Sequence, residues 1–176
     1  MGLRRWLAGW GSDPTQGWGP QMAELPPCDV WTMWFGTLGF GAPLESASFL
    51  GRPDWFRRRN RRYAELLYAA GGFQMDFGPG GFCYLAFFIG EDLFAPDHPR
   101  LRFAQPRVTG CEVPEVVLSC ETSAQEILRV FGEADEKDTD DIETILTHRR
   151  RGITMEFELN LEGRLKRWNL FPAERT

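Results

Sequence analysis

The sequence predicts an α+β protein made of two tandem repeats, each a short helix followed by a three-stranded antiparallel meander. Three observations predict it. Leu50-Gly51-Arg52-Pro53-Asp54 returns about 80 positions later as Phe131-Gly132-Glu133-Ala134-Asp135, and self-similarity at a fixed period marks a duplicated structural unit. Gly72-Phe73-Gln74-Met75-Asp76-Phe77 returns at a matching offset as Gly152-Ile153-Thr154-Met155-Glu156-Phe157. Residues 153–159 alternate apolar and polar types, as an antiparallel strand does when one face is buried. The predicted organisation is an N-terminal arm over residues 1–27, a first α/β repeat over 28–90, a connector over 91–115 and a second repeat over 116–176.

Each element has a local cause. The arm mixes Gly9, Gly11, Gly17, Gly19, Pro14, Pro20, Pro26 and Pro27 with tryptophans, which breaks helices while offering large apolar rings. Val30-Trp31-Thr32-Met33-Trp34-Phe35 is rich in aromatic and β-branched residues and predicts a strand. Pro43 to Leu50 predicts a short helix with Leu44, Ala47 and Leu50 at three-residue steps and Gly51 as its stop. After a basic stretch, strands are expected over 63–69, 72–77 and 82–89, punctuated by Gly71-Gly72 and Gly78-Pro79-Gly80-Gly81. Pro96, Pro99, Pro106 and Pro114 mark the connector, and Val116-Val117-Leu118 reads as a strand. Ser123-Ala124-Gln125-Glu126 forms a capping box. Ile127, Leu128 and Phe131 supply the apolar face of the helix it starts, and Gly132 ends that helix with a left-handed residue. An acidic loop over 133–141 leads to strands at 142–147, 153–159 and 165–171.

Composition narrows the function classes. With 176 residues, 43% of them apolar and 14% aromatic, the chain has material for a packed core without staples. A net charge of -5 gives no global attraction to nucleic acid and mildly favours a basic partner surface. Cys28, Cys83, Cys111 and Cys120 form no C-x-x-C pair and have no histidine at metal-ligand spacing, so free buried thiols are expected rather than zinc; two disulfides remain open on the even count. The basic start at Met1 is interrupted by Gly11 to Pro14 before an apolar run reaches signal length. No stretch approaches the ~18 apolar residues of a membrane span. A cytoplasmic protein with no cofactor is expected.

The order of a helix ending in hydrophobic-Gly-x-x-Asp, a loop, and strands led by glycine, carried here by Leu50 to Asp54 and Phe131 to Asp135, resembles the repeat of β-lactamase inhibitor proteins and of outer-membrane assembly lipoproteins of the SmpA/OmlA type. The resemblance covers roughly residues 29–90 and 118–172. It implies a tandem α/β scaffold that binds another protein. The lipoprotein signal with its acylated cysteine, and the paired-cysteine loops of the secreted inhibitors, have no counterpart in this sequence, so neither family's target is carried over.

No Gly-x-Ser-x-Gly elbow or Gly-x-x-x-x-Gly-Lys phosphate loop is present, and the acidic run Asp135 to Asp141 lacks the central glycine and final glutamate of a calcium loop. His98 is expected in an exposed loop, and His148 at the surface end of a strand. The candidates are therefore partner-binding residues. Trp55 and Trp168 are possible apolar anchors. Arg57, Arg58 and Arg61 belong to a basic cluster suited to carboxylates, and Asp138, Asp140 and Asp141 to an acidic one that would speed encounter with a basic partner. The leading expectation is a non-enzymatic binding protein, an immunity or inhibitor protein that occludes a toxin or enzyme. An accessory or adaptor subunit docked by its arm is the alternative, followed by a hydrolase or transferase.

Overall fold

The computed structural model describes residues 13–60, 62–110 and 115–173. Strands make up 40% of the described residues and helical segments 12%. A small sheet contains β1 (Cys28–Asp29), β2 (Trp34–Phe35), β3 (Leu38–Gly39), β8 (Arg107–Thr109) and β9 (Glu115–Val117), in the order β3-β2-β1-β8-β9. Its β1–β8 pairing is parallel, with Cys28 opposite Val108. A larger sheet holds β4 (Trp55–Arg58), β5 (Ala64–Tyr68), β6 (Phe73–Gly78), β7 (Gly81–Phe88), β10 (Glu136–Thr139), β11 (Thr144–Arg150), β12 (Ile153–Leu159) and β13 (Leu165–Pro172). Its order is β10-β11-β12-β13-β7-β6-β5-β4, antiparallel throughout.

The predicted α+β fold class is therefore corrected: the protein is mostly β, and it is not a pair of helix-plus-three-stranded-meander repeats. Two physical reasons account for the difference. The segment Leu44–Leu50 is a 3-10 helix. The three-residue spacing of Leu44, Ala47 and Leu50 places them in one row of a helix with three residues per turn, and Ser46 N–H donates to the Pro43 carbonyl at 3.0 Å in the matching i→i+3 pattern. In addition, β4 and β10, expected as a basic stretch and an acidic loop, are strands, and β13 pairs with β7 to fuse both halves into one sheet. Pairing of β1 with β8 ties the start of the first segment to the connector, so Arg107–Thr109 of the connector belongs to the folded body. The helix α1 (Ala124–Phe131) does carry the capping box, with Ser123 Oγ accepting from Glu126 N–H and the Glu126 carboxylate accepting from Ser123 N–H at 2.8 Å.

The core lies between the inner face of the large sheet and a layer made of the small sheet, the 3-10 helix and α1. Leu66, Phe73, Met75, Phe82, Leu85, Met155, Phe157 and Leu170 supply the sheet side; Phe35, Leu38, Leu50, Val108, Ile127 and Val130 supply the other. Phe35 meets Phe73 and Phe87 edge-on at 5.4 and 5.6 Å, a favoured aromatic geometry. Residues 19–22 dock on the exit of the 3-10 helix, where Arg52 N–H donates to the Gly19 carbonyl at 2.8 Å and Met22 N–H to the Leu50 carbonyl at 3.1 Å. Residues 1–12 of the predicted arm lie outside the described residues.

The repeated glycines share one backbone conformation. Gly51 has φ 78° and ψ -176°, Gly132 φ 81° and ψ -171°, a region that only glycine occupies without strain and distinct from the left-handed helical stop expected. Their surroundings differ: a Cβ on Gly51 would lie 1.9 Å from the Pro20 carbonyl oxygen, whereas one on Gly132 would meet nothing within 4 Å. Gly132→Ala should therefore cost about 1–3 kcal/mol from conformation alone. Gly51→Ala should cost more, because residues 20–21 must also shift. Urea unfolding of both variants checks the ranking.

Candidate functional site

Strand alternation sends every second side chain of the large sheet away from the core. Pairing then lines up Trp55, Leu67, Gln74, Ala86, Asn169 and Glu156 as one row across that outer face. A neighbouring row holds Arg57, Glu65, Asp76 and Tyr84. Over the first half of this face runs the connector, whose Ala95 and Leu101 pack on Leu67, Ala69 and Phe88. Between the connector and β4 lies a groove of ≈ 570 Å³.

The groove has an apolar floor of Leu67, Ala86 and Phe88, with Gln74 and Tyr84 as polar groups beside it. Trp55, Arg57 and Arg59 form one wall; Phe94, Pro96, Asp97 and His98 form the other. Trp55 is 40% exposed and Phe94 62%, so two large rings stand at the mouth rather than in the core. The Arg57 guanidinium lies 5.7 Å from the centroid of the Trp55 ring, within cation–π range. A second depression, ≈ 590 Å³, follows the seam between residues 21–26 and 102–107; it contains none of the predicted partner residues.

A charged network fixes the connector to the sheet. Asp92, its side chain fully buried, accepts from Arg167 Nε at 2.6 Å and lies 3.7 Å from Lys166 Nζ. Lys166 also pairs with Glu143, and Arg167 lies 3.5 Å from Glu158. Tyr84 Oη donates to Asn169 Oδ1 at 2.8 Å, and Asn169 Nδ2 donates to Glu158 at 2.6 Å. Burial pushes the Tyr84 hydroxyl up to about 12. Burial likewise raises the Asp76 carboxyl, against the hydrogen bond from Gln74, and raises Glu158 despite the opposing charge of Arg167. Removing one member of such a set would leave an uncompensated buried charge, which makes the network a positioning device for the groove wall.

The predicted partner residues divide across the molecule. Trp55 and Arg57 meet at the groove mouth, while Arg58, next along β4, points to the opposite face. Arg61 lies outside the described residues. Asp138 is on β10, and Asp140 and Asp141 follow it at the other end of the large sheet. Asp140 is committed locally: its carboxylate accepts from the amides of Ile142 and Glu143, both at 2.8 Å, and those bonds hold its pKa below the usual range. Seven strand spacings of about 4.8 Å separate the two edges by about 34 Å, so the basic and acidic candidates form two surfaces.

Trp168 is corrected from anchor to core. It is 0% exposed and stacks on Phe87 at 5.4 Å and Phe157 at 5.7 Å. Period-two alternation in β13 turns it to the face already filled by Leu170. His148 is likewise inside, against Phe157 and Phe131 at 5.4 and 6.2 Å, not at a surface strand end. Phe94 and His98 joined the site unpredicted because they belong to the proline-marked connector. The signal available was Leu93-Phe94, an apolar pair standing in a charged stretch.

Among the described residues no group of three or more His, Cys, Asp or Glu side chains is placed to hold a metal ion, and no helix is long and apolar enough to cross a membrane. His98 Nδ1 accepts from Arg100 N–H at 3.2 Å. Of the groove cations, Arg59 is bound to Glu65 at 2.8 Å and Arg167 to Asp92; Arg57 has no carboxylate partner among the described residues. The arrangement offers an aromatic mouth, an apolar floor and one uncommitted guanidinium, a set that holds an apolar side chain beside a carboxylate.

The fold and groove define a mostly-β protein with an open antiparallel sheet partly covered on its outer face by a connector. No family model matches the chain, and no curated relative matches it. Among solved structures it is similar to a DUF4309 family protein (YjgB) from Bacillus subtilis, with 10% identity over 73% of this chain and 76% of that one and a TM-score of 0.44. A likeness that slight carries neither fold nor function.

Proposed function

We propose that this chain is a non-enzymatic protein-binding module of the immunity or inhibitor kind, which occludes a toxin or enzyme by seating part of it in the outer-face groove. The single observation that carries this reading is that two exposed rings, Trp55 and Phe94, line one groove with an apolar floor, with Arg57 uncommitted beside Trp55. Aromatic rings next to arginine are the composition of interface hot spots. The partner feature that fits is an apolar side chain flanked by an acid. Asp138 and Asp141, exposed at the far edge, form a separate electrostatic contact for a basic region. The proposed compartment is the cytoplasm, in keeping with free thiols at Cys28, Cys83 and Cys120.

Affinity capture from the native host, repeated with Trp55→Ala, tests the proposal. The wild type should retain a stoichiometric protein that re-forms a 1:1 complex when both are purified. The Trp55→Ala variant should bind it about 30-fold more weakly, the loss of a hot spot worth about 2 kcal/mol, with its own unfolding midpoint nearly unchanged. Equal retention by the variant would remove the groove from the account. Recovery of no partner, together with turnover of a small molecule by the purified chain, would end the binding reading.

A further inference from the structure

The two open edges of the large sheet carry opposite charge. Residues 55–63 contain five arginines and no acid, whereas residues 133–143 contain seven acids and one lysine. The described members of the first set, Arg57, Arg58, Arg59 and Arg62, ride on β4 and its turn into β5, and the second set on β10 and the turn into β11. With about 34 Å between the edges and a screening length of about 8 Å at physiological salt, they cannot neutralise each other within one molecule. Local ion pairs consume only part of the charge: Arg59 binds Glu65, Arg149 binds Glu136, and Arg150 binds Asp135, each at 2.8 Å. Arg57, Arg58, Arg62, Asp138 and Asp141 form no ion pair among the described residues.

The backbone is arranged to use this complementarity. β4 and β10 each have one strand neighbour among the described residues, so each presents a row of unpaired N–H and C=O groups. All seven pairings in the sheet are antiparallel, so the first and eighth strands run in opposite directions. A second molecule displaced along the sheet therefore brings its β10 antiparallel to β4 without any reversal. Placing Arg57 opposite Glu136 of the second copy also puts Arg58 opposite Asp135 and sets Asp138 diagonal to Arg57; period-two alternation holds the first pair on one face and the second on the other.

We infer that the chain associates head to tail with further copies of itself, the basic β4 edge of one copy pairing with the acidic β10 edge of the next. This goes beyond the groove and does not depend on it. Such a contact is heterologous and extends rather than closes. With four-residue strands on both sides it buries little surface, so it belongs to the weak class, and charge makes it salt-dependent.

Sedimentation equilibrium over a range of concentrations tests it. At low salt the weight-average mass should rise above the 20.2 kDa monomer as concentration increases. It should return to the monomer at about 1 M salt, where the screening length is about 3 Å. Arg58→Glu/Arg62→Glu and Asp138→Lys/Asp141→Lys should each be monomeric alone, yet associate when mixed, because the acidic edge of the first then meets the basic edge of the second. Arg58 and Arg62 are exposed and neither lines the groove, so partner capture by Arg58→Glu/Arg62→Glu, which leaves both Trp55 and the Asp138–Asp141 contact intact, separates this inference from the proposed function. If either double reversal unfolds, Arg58→Ala and Asp138→Ala should still raise the dissociation constant about threefold or more. A monomer at every concentration in low salt, which would make the charges a guard against edge pairing, overturns the inference. So does association that the substitutions leave unchanged, or failure of the mixture to restore it.

Discussion

Trp168→Ala is expected to lose about 3–5 kcal/mol of stability, the range for truncating a large aromatic side chain in a packed core. The indole is fully buried, stacked on Phe87 from the first half and on Phe157 from the second, with Phe131 of α1 at 6.3 Å. Its removal opens a cavity where β13 joins β7, so both halves lose packing together. Against a typical total of about 5–15 kcal/mol, such a loss leaves little in reserve. Urea unfolding followed by circular dichroism gives the number. A loss under about 0.5 kcal/mol, usual for surface positions, would place Trp168 outside the core and return it to the list of possible partner anchors.

The second large effect is acid sensitivity from His148. Burial is the main cause that lowers its pKa from 6.5 to about 4, with Arg150 adding to the shift and Asp135 opposing it. Neither ring nitrogen has a hydrogen-bond partner among the described residues. The unfolded chain binds this proton more readily than the folded one. The contribution is therefore fully present above pH 6.5 and is lost as pH falls through about 4. At about 1.4 kcal/mol per pH unit, the loss approaches 3 kcal/mol. Asp76, Glu156 and Glu158 act with the opposite sign: burial raises their folded pKa values, so their contribution is present below the ordinary carboxylate range and fades as pH rises through the folded values. They partly mask the histidine in the wild type. His148→Phe, which fits a site lined by Phe131 and Phe157, should remove only the histidine's share. The stability difference between variant and wild type should grow by about 3 kcal/mol between pH 7 and pH 4, measured by urea unfolding. A difference independent of pH would mean that His148 is solvated.

Those two residues show where sequence reading stopped short. Trp168 and His148 sit in polar or basic surroundings along the chain, between Arg167 and Asn169 and before Arg149. Strand alternation hides such an inward residue among outward charges. Strands with an apolar face were legible: β12 and β13 fall where period-two patterning and turn residues put them. The edge strands were not. β10 reads Glu-Lys-Asp-Thr and is exposed at all four positions, so backbone pairing to β11 holds it and no hydrophobic period announces it. β4 buries only part of Phe56, leaving its arginines to dominate the pattern. Fusion of the halves was also illegible, because the β7–β13 pairing joins segments about 80 residues apart and local pattern carries no information on such a partner.

The candidate site was half legible for a related reason. Trp55 and Arg57 could be singled out because a large ring beside uncommitted arginines is unusual on a surface. Their complement, Phe94 and His98, came from a segment whose prolines mark it as irregular, and Asp92 was one acid among many until burial paired it with Arg167 and Lys166. Glycine conformation lay between these cases. The need for glycine at 51 and 132 was visible in the repeat, but the extended ψ and the approach of Pro20 were not.

Everything assigned to a surface here depends on one continuous sheet whose centre is the β7–β13 junction and whose edges are β4 and β10. Native-state hydrogen exchange tests that directly. The amides within residues 85–88 and 167–170 that bond across the junction should exchange only through global opening, with protection falling outward until those of β4 and β10 exchange through local fraying. Junction amides that exchange as fast as those of the edge strands would show two separately opening halves, and would contradict the single sheet on which the groove and both charged edges are placed.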